Sequence, residues 1–214
     1  MICHINGMEL FIRDSLRQLR DQVTSISLRC GRNPGEITIL GVTKTHPAEI
    51  LRSAAAAGLT EIGENRVQEA EAKFAQVGHL ARYHLIGHLQ SNKAKKAVRL
   101  FDVIQSVDSL NIASEISKYA REISKNVDVL IEVNSSGETQ KYGVLPSATL
   151  ALAGEIMALP HIRLIGLMTV GPLTDDEDAI RRAFRECREL FALLHDQWGA
   201  QITVLSMGMS GDYQ

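Results

Sequence analysis

Residues 37–47 read Ile-Thr-Ile-Leu-Gly-Val-Thr-Lys-Thr-His-Pro, an apolar and β-branched run that passes through Gly41 to Lys44 and is stopped by Pro47. The composition predicts a strand over 37–44. A lysine at the C-terminal end of a hydrophobic strand stands at the rim of a core. Desolvation there disfavours the ammonium form and makes the amine a usable nucleophile, suited to a Schiff base with a carbonyl. The plainer alternative is a strand-end lysine that snorkels to solvent.

The flanking segments supply a context. Upstream, Leu16, Leu19, Val23 and Ile26 recur at steps of three and four, which predicts an amphipathic helix over 8–30, ended by Gly31 and Pro34. Downstream, Pro47 opens a helix that Gly58 closes. The strand-helix unit then recurs. Further strands are expected over 59–63, 83–87, 103–107, 127–133, 162–170 and 202–205, and helices over 64–75, 91–99, 110–123, 146–159 and 177–197. The first of the two longest later helices should bury Leu110, Ala113, Ile116, Ala120 and Ile123, with Asp108 as its cap. The second should bury Ile180, Phe184, Cys187, Phe191 and Leu194. The strand over 127–133 is almost continuously apolar, the mark of a strand covered on both faces.

Strands alternating with helices imply an α/β fold with a parallel sheet and outer helices. Polar residues gather at the expected C-terminal ends of nearly all the strands. That distribution suits the mouth of a (β/α)8 barrel of the TIM type better than the single crevice of an open doubly wound sheet, which remains the alternative. Seven units are legible, the last cut short at Gln214, so the expected barrel lacks its eighth strand. No linker or low-complexity run divides the chain, and a single domain over 1–214, incomplete at its C-terminal end, is expected.

The bulk composition excludes several classes. A chain of 214 residues with 45% hydrophobic residues can bury a core without staples. A net charge of −2 asks for neither nucleic acid nor an anionic membrane. The lysines and arginine of 92–99 read as a solvated helix face, and the acids of 174–178 as a capping loop. Cys3, Cys30 and Cys187 are odd in number and lack CxxC spacing, against a disulfide framework or a zinc site. No signal peptide or membrane-spanning run is seen, so a cytoplasmic chain is expected.

Taken in order, the strand ends carry Lys44; Glu64 and Asn65; His84 and His88; Ser106 and Asp108; Glu132, Asn134, Ser135, Lys141 and Gly143; Met168 and Thr169; and Ser206 to Gly211. The last run, SMGMSG, is a loop of small residues whose amides and hydroxyls can cradle a phosphate. On a barrel mouth, that loop and the Lys44 amine are the two attachments that pyridoxal phosphate requires. Plainer readings stand beside these. His84 can be packed in its strand with no carboxylate partner evident. Met168 can be core filler, and Asn65 a helix cap. Lys141 should be exposed in its loop. No catalytic group or metal site is expected.

The runs GVTKTHP, IGENRVQE, HLIGHLQSNK, the SVD of the fourth strand, VNSSGETQKYGV, GLMTV and SMGMSGDY together resemble the pyridoxal phosphate homeostasis proteins. These are single-domain relatives of the N-terminal domain of bacterial alanine racemase, and the resemblance runs in register from about Ile37 to the C-terminus. It implies the barrel, with pyridoxal 5'-phosphate held as a Schiff base on Lys44 and its phosphate on Ser206 and the loop bearing Gly208 and Ser210. Asn65, His84, Ser106 and Met168 match positions around the cofactor. Lys141 matches a lysine implicated in a second, transient site or in hand-off. The implied role is non-catalytic: binding, buffering or delivering the cofactor, with cofactor-accepting apo-enzymes as partners. A monomer is expected, since no second domain calls for pairing.

One departure stands out. Family members continue with a helix and a strand of the form VRIG, whose arginine and glycine are expected near the pyridine nitrogen and the phosphate. Two other functions remain open. An amino-acid racemase needs a second base opposite Lys44, usually a tyrosine from another domain. This chain offers Tyr83, Tyr119, Tyr142 and Tyr213 but no residues for an added β domain. A cofactor-free Schiff-base aldolase would use the Ser206 loop for a substrate phosphate.

Overall fold

The computed structural model describes residues 2–138 and 140–213, with side chains from Gly7 onward. The chain forms two compact units, one running to His84 and the other spanning Leu85–Tyr213. Seven strands are found among the described residues.

The first unit holds α1 (Ile2–Arg29), β1 (Gly41–Val42), α2 (Ala48–Ala56), β2 (Glu61–Glu64), α3 (Val67–Val77) and most of β3 (Arg82–Leu85). The strand expected over 37–44 is therefore only two residues long. Gly41 pairs with Ile62 and Val42 with Gly63, while the half-exposed 37–40 lead-in joins no ladder. A Cβ at Gly41 would lie 2.1 Å from the Leu59 side chain, which would have to turn aside. Thr43 extends the pairing by one bond, its amide donating to Gly63 at 3.0 Å. Strand β2 runs on through the fully buried Glu64, so α3 cannot begin at 64 and starts at Val67. Helix α3 buries Val67, Ala70, Lys73, Phe74 and Val77. Phe74 stacks on Tyr83 at 3.7 Å, and the Tyr83 hydroxyl donates to the Gly78 carbonyl at 2.7 Å, which ties α3 to β3.

The second unit holds α4 (Ala94–Leu100), β4 (Val103–Val107), α5 (Leu110–Glu122), β5 (Val127–Glu132), α6 (Thr149–Met157), β6 (Ile162–Met168), α7 (Glu177–Trp198) and β7 (Val204–Ser206). Strands β4 to β7 are parallel, with Val103 opposite Asp128, Glu132 opposite Met168 and Met168 opposite Ser206. All residues of β4 and β5 are buried, as the apolar run predicts for a strand covered on both faces. Val103, Leu130, Ile165 and Met168 pack together with Val204. The last strand lies two residues later than expected at its start, since Ile202 and Thr203 are taken up by the turn out of α7.

Helix α5 is capped by Ser109, whose hydroxyl accepts from the Ile112 amide at 3.4 Å, and not by Asp108. Its buried stripe is Ile112, Ala113, Ile116, Ser117 and Ala120; Leu110 and Ile123 fall outside it and are exposed. In α7, Cys187 and Leu194 are buried as expected, whereas Ile180, Phe184 and Phe191 are half-buried. Burial, then the Glu186 charge, pushes the Cys187 thiol up to about 12, while Cys30 is an exposed free thiol. Among the described residues, no helix is long and apolar enough to cross a membrane.

Candidate functional site

In the first unit Lys44 lies past the end of β1, in the turn Thr43–His46 closed by the His46 amide on the Thr43 carbonyl at 3.1 Å. The side chain is exposed, so the burial expected at a strand end is not found. Its neighbours are held instead. Thr43 is buried, and its hydroxyl donates to Glu64 Oε1 at 2.6 Å. Thr45 has φ +66°, and its amide donates to Glu69 Oε1 at 2.6 Å. A β-branched residue in the left-handed region carries strain of about 1–3 kcal/mol, which surrounding contacts must offset. Lys73 links these groups. Its ammonium donates to the Thr43 carbonyl at 2.7 Å, to Glu64 Oε1 at 2.8 Å and to Glu69 Oε1 at 2.7 Å.

Asn65 is half-buried just before Arg66, the N-cap of α3, so it does not cap the helix. His84 is buried and does have a carboxylate partner, Glu61 Oε2 at 2.5 Å from its Nε2. The expectation of an unpaired strand histidine fails because position 61 lies on β2 and is remote in sequence.

In the second unit the predicted residues fall at the C-terminal ends of β4 to β7. Ser106 is 1% exposed, and its hydroxyl has no partner among the described residues. Met168 ends β6 within the apolar cluster, as core filler would. Ser206 ends β7 and donates to Gln105 Oε1 at 2.7 Å. The run beyond it is exposed; Gly208 has φ +90°, and Ser210 opens a turn in which the Met209 amide donates to Asp212. Glu132, opposite Met168, is buried with Oε2 unpartnered. Burial, then the Asp108 charge, pushes its carboxyl up to about 7.

Lys141 is held more firmly than a loop lysine would be. It donates to the Gly171 carbonyl at 2.9 Å and pairs with Glu138 at 2.8 Å, and it is half-buried. Gly143, at φ +107°, lets its loop pass so close to β5 that a Cβ would sit 2.8 Å from the Asn134 amide nitrogen. Asp108, free of capping, lies 3.3 Å from His88 Nδ1, and His88 stacks on Tyr142 at 3.8 Å.

Lys73, Glu69 and Gln105 were not legible as site residues. The signal for Lys73 is its place: it interrupts the buried stripe Val67, Ala70, Phe74 and Val77, where a lysine must be paired.

The family "Alanine racemase, N-terminal domain" matches residues 15–214. The pyridoxal phosphate homeostasis protein of Aquifex aeolicus (strain VF5) is 37% identical over 202 residues, covering 94% of this chain and 89% of that protein. The protein of the same name from Pasteurella multocida (strain Pm70) is 38% identical over 205 residues, covering 94% and 88%. The solved structure of PipY of Synechococcus elongatus PCC7942 with PLP bound superimposes with a TM-score of 0.80 at 35% identity, covering 94% of this chain and 91% of that one. Likeness at this level runs through both units and across the strand ends described above. The chain thus belongs to the pyridoxal phosphate homeostasis protein family, with the α/β barrel-type fold of the alanine racemase N-terminal domain.

Proposed function

We propose that the protein binds pyridoxal 5'-phosphate on Lys44 and holds it for cofactor homeostasis without turnover of its own. The names of its relatives and the PLP-bound PipY structure support the ligand. The observation that carries the attachment point is the Lys44 corner: an exposed primary amine on a turn whose two neighbours are held by buried or half-buried ionic groups. The other residues fit the ligand. Ser106 and Glu132 each leave a buried polar atom unpartnered, a condition that a ligand or water ordinarily relieves. The exposed backbone around Gly208 suits an anion.

Bound there, the cofactor supplies an aldehyde carbon that accepts the amine nitrogen with loss of water. We assign Asn65, His84, Ser106 and Met168 to its surroundings, and Ser206, Gly208 and Ser210 to its phosphate. Lys141 is assigned to a second, transient site used in passing the cofactor to apo-enzymes. Of the four tyrosines, the Tyr83 hydroxyl is engaged with Gly78 and Leu80, which speaks against Tyr83 as a second base. Residues 1–214 act as one cofactor-binding domain and as a monomer in the cytosol, a reducing compartment that suits the free Cys30 thiol.

The test is borohydride reduction of the cofactor-loaded protein with peptide mapping, beside Lys44→Ala. The reduced adduct should map to Lys44 and vanish in the variant, while the far-ultraviolet circular dichroism stays unchanged. An adduct that persists in the variant at another lysine refutes the assignment. Racemisation of alanine by the loaded protein would refute the non-catalytic reading, and reaction with a keto-sugar phosphate without cofactor would favour an aldolase.

A further inference from the structure

The groups that hold the Lys44 turn form one connected cluster. Lys73 Nζ has three acceptors, the Thr43 carbonyl, Glu64 and Glu69, one for each of its protons. Glu64 reaches back to the Thr43 hydroxyl and Glu69 to the Thr45 amide, so both residues that flank Lys44 are tied to the same ammonium. The Lys73 side chain is 8% exposed, that of Glu64 0% and that of Glu69 27%. Burying an ammonium between two carboxylates is costly and brings no general stability advantage over apolar packing. The bonds of this cluster converge on a turn held at Thr45 φ +66°, with Lys44 as the residue between the two bonded positions.

We propose that Lys73 and Glu69 are positioning residues for Lys44: through the Thr43 carbonyl and the Thr45 amide they hold the turn in the one conformation that presents the amine for attachment to an aldehyde. This rests on Lys44 being the attachment point. The electrostatics agree with the geometry: the Lys73 ammonium, followed in effect by the Thr45 amide, holds the Glu69 carboxyl below its ordinary value against an opposing effect of burial. Without the Glu69 anchor, Thr45 returns to the extended region that β-branched residues favour, the corner opens, and the Lys44 amine spreads over many directions. Attachment itself is unchanged in chemistry. The amine nitrogen bonds the aldehyde carbon, the carbonyl oxygen leaves as water, and only the fraction of time spent in the productive direction falls.

Lys73→Met would strand two carboxylates and is a folding risk, so Glu69 at the rim carries the test. Apo-protein is mixed with pyridoxal 5'-phosphate and growth of the Schiff-base absorbance is timed for the parent, Glu69→Ala and Glu69→Gln, with adduct mapping and melting temperature for each. Glu69→Gln keeps one oxygen able to accept from both Thr45 and Lys73. The expected result is uptake slowed about ten- to a hundredfold in Glu69→Ala, still at Lys44, and within about threefold of the parent in Glu69→Gln. The two variants should differ little in melting temperature. Parent-like uptake by Glu69→Ala, or an equal loss in both variants, overturns the positioning role alone. An adduct that maps away from Lys44 in the parent overturns the attachment point and this inference with it.

Discussion

Glu132 shows how far a single residue's chemistry depends on its neighbours. Its carboxyl is buried at the end of β5 with one oxygen unpartnered, and burial together with the Asp108 charge lifts it from 4.5 to about 7. The unfolded chain releases that proton near 4.5, whereas the folded chain keeps it until about 7. Between these values the folded state binds the extra proton, so stability falls as pH rises through the window and levels off above it. Urea unfolding at pH 5 and pH 8 should show the parent losing about 2 to 3 kcal/mol relative to Glu132→Gln, which has no proton to release. Equal pH slopes in the two proteins would show that Glu132 is charged in the fold. His84 makes the same point from the other side, since its carboxylate partner is a residue on the neighbouring strand of its own unit.

At the scale of elements, close approach of backbones decides where the strands can carry side chains. Gly166 lies opposite Val204 in the β6–β7 ladder, and a Cβ there would come within 1.7 Å of the Val204 carbonyl oxygen. That neighbour is backbone and cannot swing aside. Gly166→Ala should cost about 3 kcal/mol or more in chemical denaturation, because β7 must move away and take Ser206 with it. A loss under about 1 kcal/mol would mean that the pair relaxes without separating. Helix boundaries follow a similar logic. The α7 start was legible because Asp176 caps it through the Asp178 and Ala179 amides, a local matter. The α3 start was not, because Glu64 extends β2 to meet a lysine nine residues on.

Over the whole molecule the packing is uneven, and each unit has its own character. Strand β5 is flanked by β4 and β6, and every residue of it is buried. In α1, Leu16 is the only apolar side chain buried among the described residues, and Phe11 and Leu28 are exposed. Local opening should therefore be easiest in α1 and hardest in the β4–β6 strands. Amide hydrogen exchange read by mass spectrometry should label α1 at least about ten times faster than β5. Equal protection would show that α1 opens only with the rest of the fold.

The alternation of apolar strands with amphipathic helices needed no tertiary information, because periodicity is a local property of the chain and the sheet follows from it. The SMGMSG run as a small-residue loop was likewise written in residue type and spacing, whereas the strand by itself offered Lys44 only as a candidate amine beside the plainer reading of a lysine that snorkels to solvent. The tertiary structure alone decided three things. It shortened the first strand to Gly41–Val42 and left Lys44 exposed on a turn. It gave His84 the partner Glu61, and it gave the Lys44 turn its anchors in Lys73, Glu64 and Glu69. It left the Ser106 hydroxyl and one Glu132 oxygen buried without partners. Each of these depends on groups brought together from separate elements. Whether a buried charge is paired, or a buried hydroxyl left waiting, is settled only when the strands and helices have met.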